Sequence, residues 1–167
     1  LTLSSLEEQF SKVPFPEVEA VEVLNPVSED HNCLRVHLVP SLLTVLRKSK
    51  HRDLPQRIFE VGDVVIEAKR RRHLAVMAIH SKAGFTEMKS LTEGVMRELS
   101  VPCSLLPGDM GMFIPGRCAL LKVNGRTVGH FGELHPKVIT DYELGNPIIA
   151  LELDLQDLMS GRGEKII

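Results

Sequence analysis

Pro115-Gly116-Arg117-Cys118-Ala119, followed by Asn124-Gly125 and then by Gly129-His130-Phe131-Gly132-Glu133-Leu134-His135-Pro136, is the stretch that decides the fold. Asn-Gly between apolar runs is the preferred pair for a two-residue type I′ turn, because both central residues need positive φ. Leu120, Leu121 and Val123 lead into the turn; Val128, Phe131 and Leu134 lead out of it. The spacing predicts a β-hairpin. Pro136 suits the first turn of a helix, its φ being already set, so the hairpin runs directly into one. Gly129 and Gly132 predict a bulge or a strand that a neighbour approaches closely.

Toward the N-terminus, Ser4 and Ser5 each precede a glutamate by three residues, a capping-box pattern for a short helix ending near Lys12. Val18, Ala20, Val21 and Val23, with acidic residues between them, predict a short strand, and Asn25-Pro26-Val27-Ser28-Glu29-Asp30 a turn. Leu34, Leu38, Leu42, Leu43 and Leu46 fall near helical spacing, with Pro40 in the first turn of a helix reaching about Lys50. Residues 58–66 predict a strand interrupted at Gly62-Asp63; a basic loop, 69–72, leads to a second strand over 74–79.

Phe85, Met88, Leu91, Val95 and Leu99 share one helical stripe. Residues 102–111, with two prolines and two glycines, read as an irregular link. Ile149, Leu151, Leu153 and Leu155 alternate with Ile148, Ala150, Glu152 and Asp154, the pattern of a half-buried strand with one polar face. Strands arranged as neighbouring hairpins, rather than in βαβ alternation, predict an α+β fold. Its antiparallel sheet would carry helices packed on one face, as a single domain over residues 1–167.

Composition narrows the function. A chain of 167 residues with 43% apolar content can bury a real core, and no run approaches the roughly 20 apolar residues of a membrane span. A net charge of −2 is no footprint for nucleic acid, and the basic clusters 47–52 and 69–72 read as solvated faces or loop tips. Either cluster could instead meet phosphate. Cys33, Cys103 and Cys118 are odd in number and far apart, which argues against a disulfide framework and a CxxC zinc site. Free thiols in a reducing cytoplasm are expected. Leu at position 1 suggests a piece of a longer chain.

His130, Glu133 and His135 form the one tight His/Glu group. A metal-dependent enzyme or small-molecule-binding domain would need all three to converge, yet on a strand 133 and 135 share a face while 130 points away. A local hydrogen-bonded cluster around a turn is the simpler reading. His31, His37, His73 and His80 stand alone. The chain has no serine nucleophile elbow, no GxGxxG and no GxxxxGK[ST], and Gly161-Arg162-Gly163 is too short for a phosphate loop. Glu60, Asp63 and Glu133 are not paired by spacing, so no catalytic, cofactor-binding or metal-binding residue is assigned. Arg117 and Glu133 are placed to form a cross-strand pair.

An ordered series of segments resembles the synthetase-like core module of the phenylalanyl-tRNA synthetase beta subunit family. It comprises Asn25-Pro26 with Ser28-Glu29-Asp30; Leu34-Arg35 with Leu38, Pro40, Leu42 and Leu43; and Ile58-Phe59-Glu60-Val61-Gly62-Asp63-Val64-Val65. Arg72-His73-Leu74, Phe85, the hairpin quoted above and Leu151-Glu152 complete it, covering residues 18–158 or so. The Arg72-His73-Leu74 form is closer to the archaeal and eukaryotic type.

The resemblance implies a class II aminoacyl-tRNA synthetase-like antiparallel sheet flanked by helices, within an α2β2 phenylalanine–tRNA ligase of the cytoplasm. The alpha subunit would use ATP and Mg2+ to activate phenylalanine for tRNA, and this chain would bind no cofactor. A class II site holds ATP with a hairpin arginine preceded by an aromatic residue. With Phe59 as that aromatic, the arginine slot holds Glu60 and the following glutamate slot Gly62, so a carboxylate faces the triphosphate. No glycine-rich strand entering a helix with an arginine appears in 153–167. The resemblance therefore implies an inert module. Leu38, Leu42, Leu43 and Leu46 are its expected contacts with the alpha subunit, or else pack on the domain's own sheet. Arg117, Gly129, Gly132, Glu133 and His135 are expected to fix sheet geometry. The same apolar helix, left without its partner, predicts that the isolated chain self-associates.

Overall fold

The computed structural model describes residues 2–16 and 18–160. Its centre is a six-stranded, wholly antiparallel sheet in the spatial order β3-β4-β8-β7-β6-β5. The strands are β3 (Gln56–Ile66), β4 (Lys69–Ile79), β5 (Ser104–Pro107), β6 (Phe113–Val123), β7 (Arg126–Leu134) and β8 (Ile148–Asp154). A small two-stranded sheet, β1 (Leu3–Ser4) with β2 (Cys33–Leu34), lies in the N-terminal segment.

The β6–β7 hairpin forms as its sequence requires. Asn124 and Gly125 have φ of 51° and 78° and join Val123 to Arg126 across a two-residue turn. A second hairpin of the same kind joins β3 to β4 through Glu67 and Ala68, at φ of 51° and 58°. Neither residue is a usual occupant of that conformation, so the sequence carries no mark of it. Residues 69–72 consequently belong to β4 rather than to a loop, and β3 runs unbroken through Gly62 and Asp63. Gly62 is small for another reason: a Cβ there would collide with the Arg35 guanidinium.

Helices cover both faces of the sheet, not one. Helices α1 (Val39–Lys48) and α3 (Pro136–Asp141) pack on one side, where Leu38, Leu42, Leu43, Leu46, Val138 and Tyr142 meet Val64, Ala75, Met77 and Ala150. On the other side α2 (Phe85–Glu98) and α4 (Leu155–Ser160) bring Met88, Met96 and Leu158 against Leu121, Phe131, Ile149, Leu151 and Leu153. With layers above and below, β8 is buried on both faces; Glu152, expected on a polar face, is 2% exposed.

The N-terminal residues differ from expectation. Ser5 caps the first turn as its spacing predicts, its Oγ accepting from the Glu8 N–H at 3.2 Å, but the turn over Glu7–Lys12 is a π-helix. Residues 18–23 form a single bridge, Glu22 to Cys33, in place of a strand. The link over 102–111 contains β5, hidden from periodicity by its four-residue length and its terminal Pro107.

Candidate functional site

The most concentrated ionisable chemistry lies on the α1 side of the sheet centre. Glu152 of β8 has His130 of β7 directly beside it in register; His73 is on β4 and lies opposite Asp154. Glu152 Oε1 and His73 Nδ1 are 2.7 Å apart. Each Glu152 oxygen also accepts from the Leu38 N–H at 3.0 Å, and Oε2 from that of Val39 at 3.3 Å. A buried carboxylate thus caps the start of α1, where the helix dipole and free amide groups favour an anion.

The remaining members complete the cluster. Gln9 Oε1 accepts from the amides of Val36 and His37 at 2.9 and 3.1 Å, and His37 Nε2 contacts the Gln9 carbonyl at 2.9 Å. The His37 ring stacks on Phe15 with centroids 4.2 Å apart, while His130 meets Phe15 and Phe113. His130 retains some exposed surface, yet its Nε2 is sealed and unpartnered, as is Nδ1 of His37.

Burial works against charge throughout this cluster, and the neighbours decide each case. It lowers His37, and pushes His130 down to about 4, so both rings are neutral. Burial would raise Glu152, but the hydrogen bond and charge of His73, with the other two histidines, hold it below the carboxylate range. Burial opposes His73 charging as well; Asp154 and Glu152 on either side outweigh it and raise it. His73 Nε2 stands 3.5 Å from Asp154 Oδ2, an ion-pair distance without hydrogen-bond alignment. A closed, internally neutralised network of this kind anchors helices.

Ion pairs extend from it to the sheet edge. Asp154 binds Arg71 and caps α4 through the Gln156 and Asp157 amides at 2.9 and 3.1 Å. Asp63 binds Arg70 and Arg72 at 2.7 and 3.0 Å. The basic cluster 69–72 is therefore largely engaged within the domain, and Lys50 of the other cluster pairs with Glu143 at 2.9 Å.

Glu60, in the slot that the resemblance gives to a phosphate-holding arginine, forms an ion pair with Arg35 Nη1 at 2.7 Å. Arg35 is 5% exposed and also donates to the Asp63 carbonyl and the Ser41 hydroxyl. A triphosphate approaching this strand meets a carboxylate whose neighbouring cation is already held.

The other predicted site residues separate. Arg117 Nη1 and Glu133 Oε2 are 2.6 Å apart, the expected cross-strand pair, and Glu133 Oε1 accepts from the Phe85 N–H at 2.7 Å. Glu133 thereby caps α2 from a neighbouring strand. His135 caps α3, its Nδ1 accepting from the Lys137 N–H at 3.1 Å. With His130 set against Phe15 and Phe113, the His130–Glu133–His135 group does not converge, and among the described residues no three His, Cys, Asp or Glu are grouped to hold a metal. A Cβ at Gly129 would strike the Glu152 carbonyl and one at Gly132 the Arg117 carbonyl, the close approach that the sequence suggests. Arg117 and Glu133 also line an open cleft of about 440 Å³ with Thr140, Asn146 and Ile148. Gly161-Arg162-Gly163 lies outside the described residues.

Leu38, Leu42, Leu43 and Leu46 are each 3% exposed or less, packed on the domain's own sheet. The outward side chains of that helix are Val45 and Lys48. The sequence marks His37 and His73 only as lone histidines and Arg35 only as part of the resemblance, and nothing in it marks Gln9. Glu152 carries the one usable signal, a carboxylate flanked by leucines inside an apolar strand.

Comparison with known proteins agrees with this architecture. The family described as "Phenylalanyl tRNA synthetase beta chain CLM domain" matches residues 1–155. The chain is 41% identical over 154 residues to the phenylalanine–tRNA ligase beta subunit of Methanothrix thermoacetophila, covering 92% of this chain and 29% of that protein. The Archaeoglobus fulgidus counterpart is 44% identical over 140 residues, 84% of this chain and 26% of that one. That of Methanosarcina acetivorans is 40% identical over 166 residues, 99% and 30% respectively. The chain thus spans under a third of the length of these relatives. Among solved structures, a pyrrolysyl tRNA synthetase from Desulfitobacterium hafniense superposes with a TM-score of 0.78 at 16% identity, over 98% of this chain and 61% of that one, a likeness of fold. Six antiparallel strands flanked by helices are a class II synthetase-like fold, and the chain belongs to the phenylalanyl-tRNA synthetase beta-chain CLM-domain family.

Proposed function

We propose that this chain is a non-catalytic, synthetase-like module of a cytoplasmic phenylalanine–tRNA ligase, and that it supports assembly with the alpha subunit. In that α2β2 enzyme the alpha subunit uses ATP and Mg2+ to charge tRNA with phenylalanine. The observation that carries this reading is the sealed centre of the sheet. Glu152, His73 and His37 are 7% exposed or less, bonded to one another or to backbone beneath α1, where no substrate reaches them. The Glu60 carboxylate on β3 adds to it by disfavouring a triphosphate.

Assembly draws on the outer surface of residues 24–50 rather than on the buried leucines. Leu24, Val27 and Val45 are among the largest exposed apolar side chains, at 92%, 105% and 46%. Exposed apolar groups gathered in one segment mark an interaction surface. Co-purification of the tagged chain with the alpha subunit tests the proposal: a stable complex that Val27→Glu with Val45→Glu dissolves is expected. Absence of a complex, or one indifferent to both substitutions, would overturn it.

A further inference from the structure

On the α1 side, the centre of the sheet is crossed by an irregular strap, Val13-Pro14-Phe15-Pro16. Its backbone does little to hold it there. Pro14 and Pro16 have no amide to donate, and among the described residues no main-chain group of 14–16 is hydrogen-bonded. Side chains hold it instead. Val13 is fully buried in the core of this face, and Pro14 rests against Gly111, where a Cβ would meet its own at 3.0 Å. Phe15 stacks on His37 with centroids 4.2 Å apart and meets His130 at 6.0 Å. The strap can therefore leave without breaking a ladder, which places it among the segments that open locally at low cost.

The two rings under Phe15 have no room for a second proton while it is in place. His37 is fully buried, and its Nε2 donates to the Gln9 carbonyl at 2.9 Å, which leaves Nδ1 sealed and unpartnered. Nε2 of His130 is sealed and unpartnered as well. An imidazolium carries an N–H on both nitrogens, so either ring, once charged, would bury a donor without an acceptor. The titratable groups facing the pair are Glu152 of β8 and His73 of β4. The Glu152 oxygens are already taken by His73 and by the Leu38 and Val39 amides, and His73 brings positive charge. From the strap, β6 and the turn before the strap, only the uncharged Phe15, Phe113 and Gln9 meet these rings.

We propose that Val13–Pro16 is an acid-released strap, closed over His37 and His130 while both rings are neutral and displaced when they take up protons, so that the sheet centre around His37, His130 and Phe113 is uncovered. The direction follows from burial. With the strap on, burial lowers His37 and pushes His130 down to about 4; uncovering returns His130 toward its ordinary 6.5. The open form binds the proton first, so opening grows as pH falls. For His130 alone the opening equilibrium should rise about twentyfold from about pH 7 to about pH 5, and His37 acts in the same direction. This goes beyond the assembly role proposed above and does not rest on it, because the strap lies outside residues 24–50.

Methyl relaxation dispersion on the purified chain, from about pH 7 to about pH 5, tests it without any substitution. The Val13 methyl groups should exchange with a minor state whose equilibrium constant climbs about twentyfold or more as pH falls. Met88, fully buried under α2 on the other face, should show no such exchange. His130→Gln, which takes up no proton, should remove about twentyfold of the rise. The wild-type measurement decides the matter even where that variant fails to fold. Exchange at Val13 that is absent throughout, or indifferent to pH, overturns the proposal. So does Met88 joining Val13 at the same population, which is unfolding of the whole molecule, and so does a rise left whole by His130→Gln.

Discussion

Glu152 and His73 stand 2.7 Å apart on adjacent strands, and the same carboxylate accepts from the first amides of α1. One buried residue therefore ties the sheet centre to the helix that covers it. Removing one partner of such a pair leaves the other charge without compensation in the interior. Glu152→Gln should lower the unfolding free energy by about 3 kcal/mol, read by urea denaturation. A loss below about 1 kcal/mol would mean that the carboxylate is not what holds α1.

Stability should peak near pH 6.5. His73, raised to about 9, contributes stability that is complete below its unfolded value and is lost as pH rises from there to about 9. His37 and His130, both lowered, act in the opposite direction: the unfolded chain takes up their protons first as pH falls below about 6.5. Glu152 and Asp154, lowered to about 2, add to the acid loss below roughly pH 4. Melting temperatures across pH 3 to 9 check this, in about unit steps. His73→Gln should flatten the alkaline limb and, because His73 also holds Glu152 and Asp154 down, shrink the acid loss below roughly pH 4; an unchanged alkaline limb would count against the assigned His73 charge.

Two thiols should be silent. Burial pushes Cys33 and Cys118 up to about 11, whereas Cys103 is only half-buried. A chromogenic disulfide at neutral pH should titrate one thiol in the folded chain and all three after denaturation, with Cys103→Ser removing the early one. Rapid reaction of two or more in the folded state would contradict the burial.

Glycine substitutions should split by position. Gly132→Ala drives a methyl into the Arg117 carbonyl and should cost about 2 kcal/mol or more. Gly94→Ala, inside α2 with open space around it, should stabilise by about 0.5–1 kcal/mol. Thermal unfolding that moved both in the same direction would contradict the account of close packing at Gly132.

Arg117 and Glu133 should differ although they form one pair. Arg117 is 57% exposed at its side chain, and Arg117→Ala should cost under about 1 kcal/mol. Glu133→Ala also removes the cap on the Phe85 amide and should cost about 1–2 kcal/mol. Equal losses would show that the cap adds nothing.

The architecture is legible where local chemistry determines it. Asn124-Gly125, the leucines of α1 and the stripe of α2 each announce their element, whereas the Arg117–Glu133 pair forms only because the hairpin register shifts between Leu121 and Lys122. What escaped was set by the third dimension. Glu67-Ala68 adopts an Asn-Gly geometry without its residues, so the sequence does not mark where β4 begins. The second layer of helices is invisible to a period-two pattern, which is why Glu152 read as solvent-facing. His37, Gln9 and Arg35 lie far from their partners in sequence, and no spacing rule joins them. The family resemblance supplied the class II fold; it left the leucines between interface and core, and packing placed them in the core.

ATP–pyrophosphate exchange with phenylalanine, measured on this chain, on the alpha subunit and on the two together, tests the central claim most directly. No exchange by this chain alone, with exchange wherever the assembled alpha subunit is present, is the expected result. Exchange by this chain alone would contradict the account: β3, with Glu60 in place of an arginine, would then be holding a nucleotide after all.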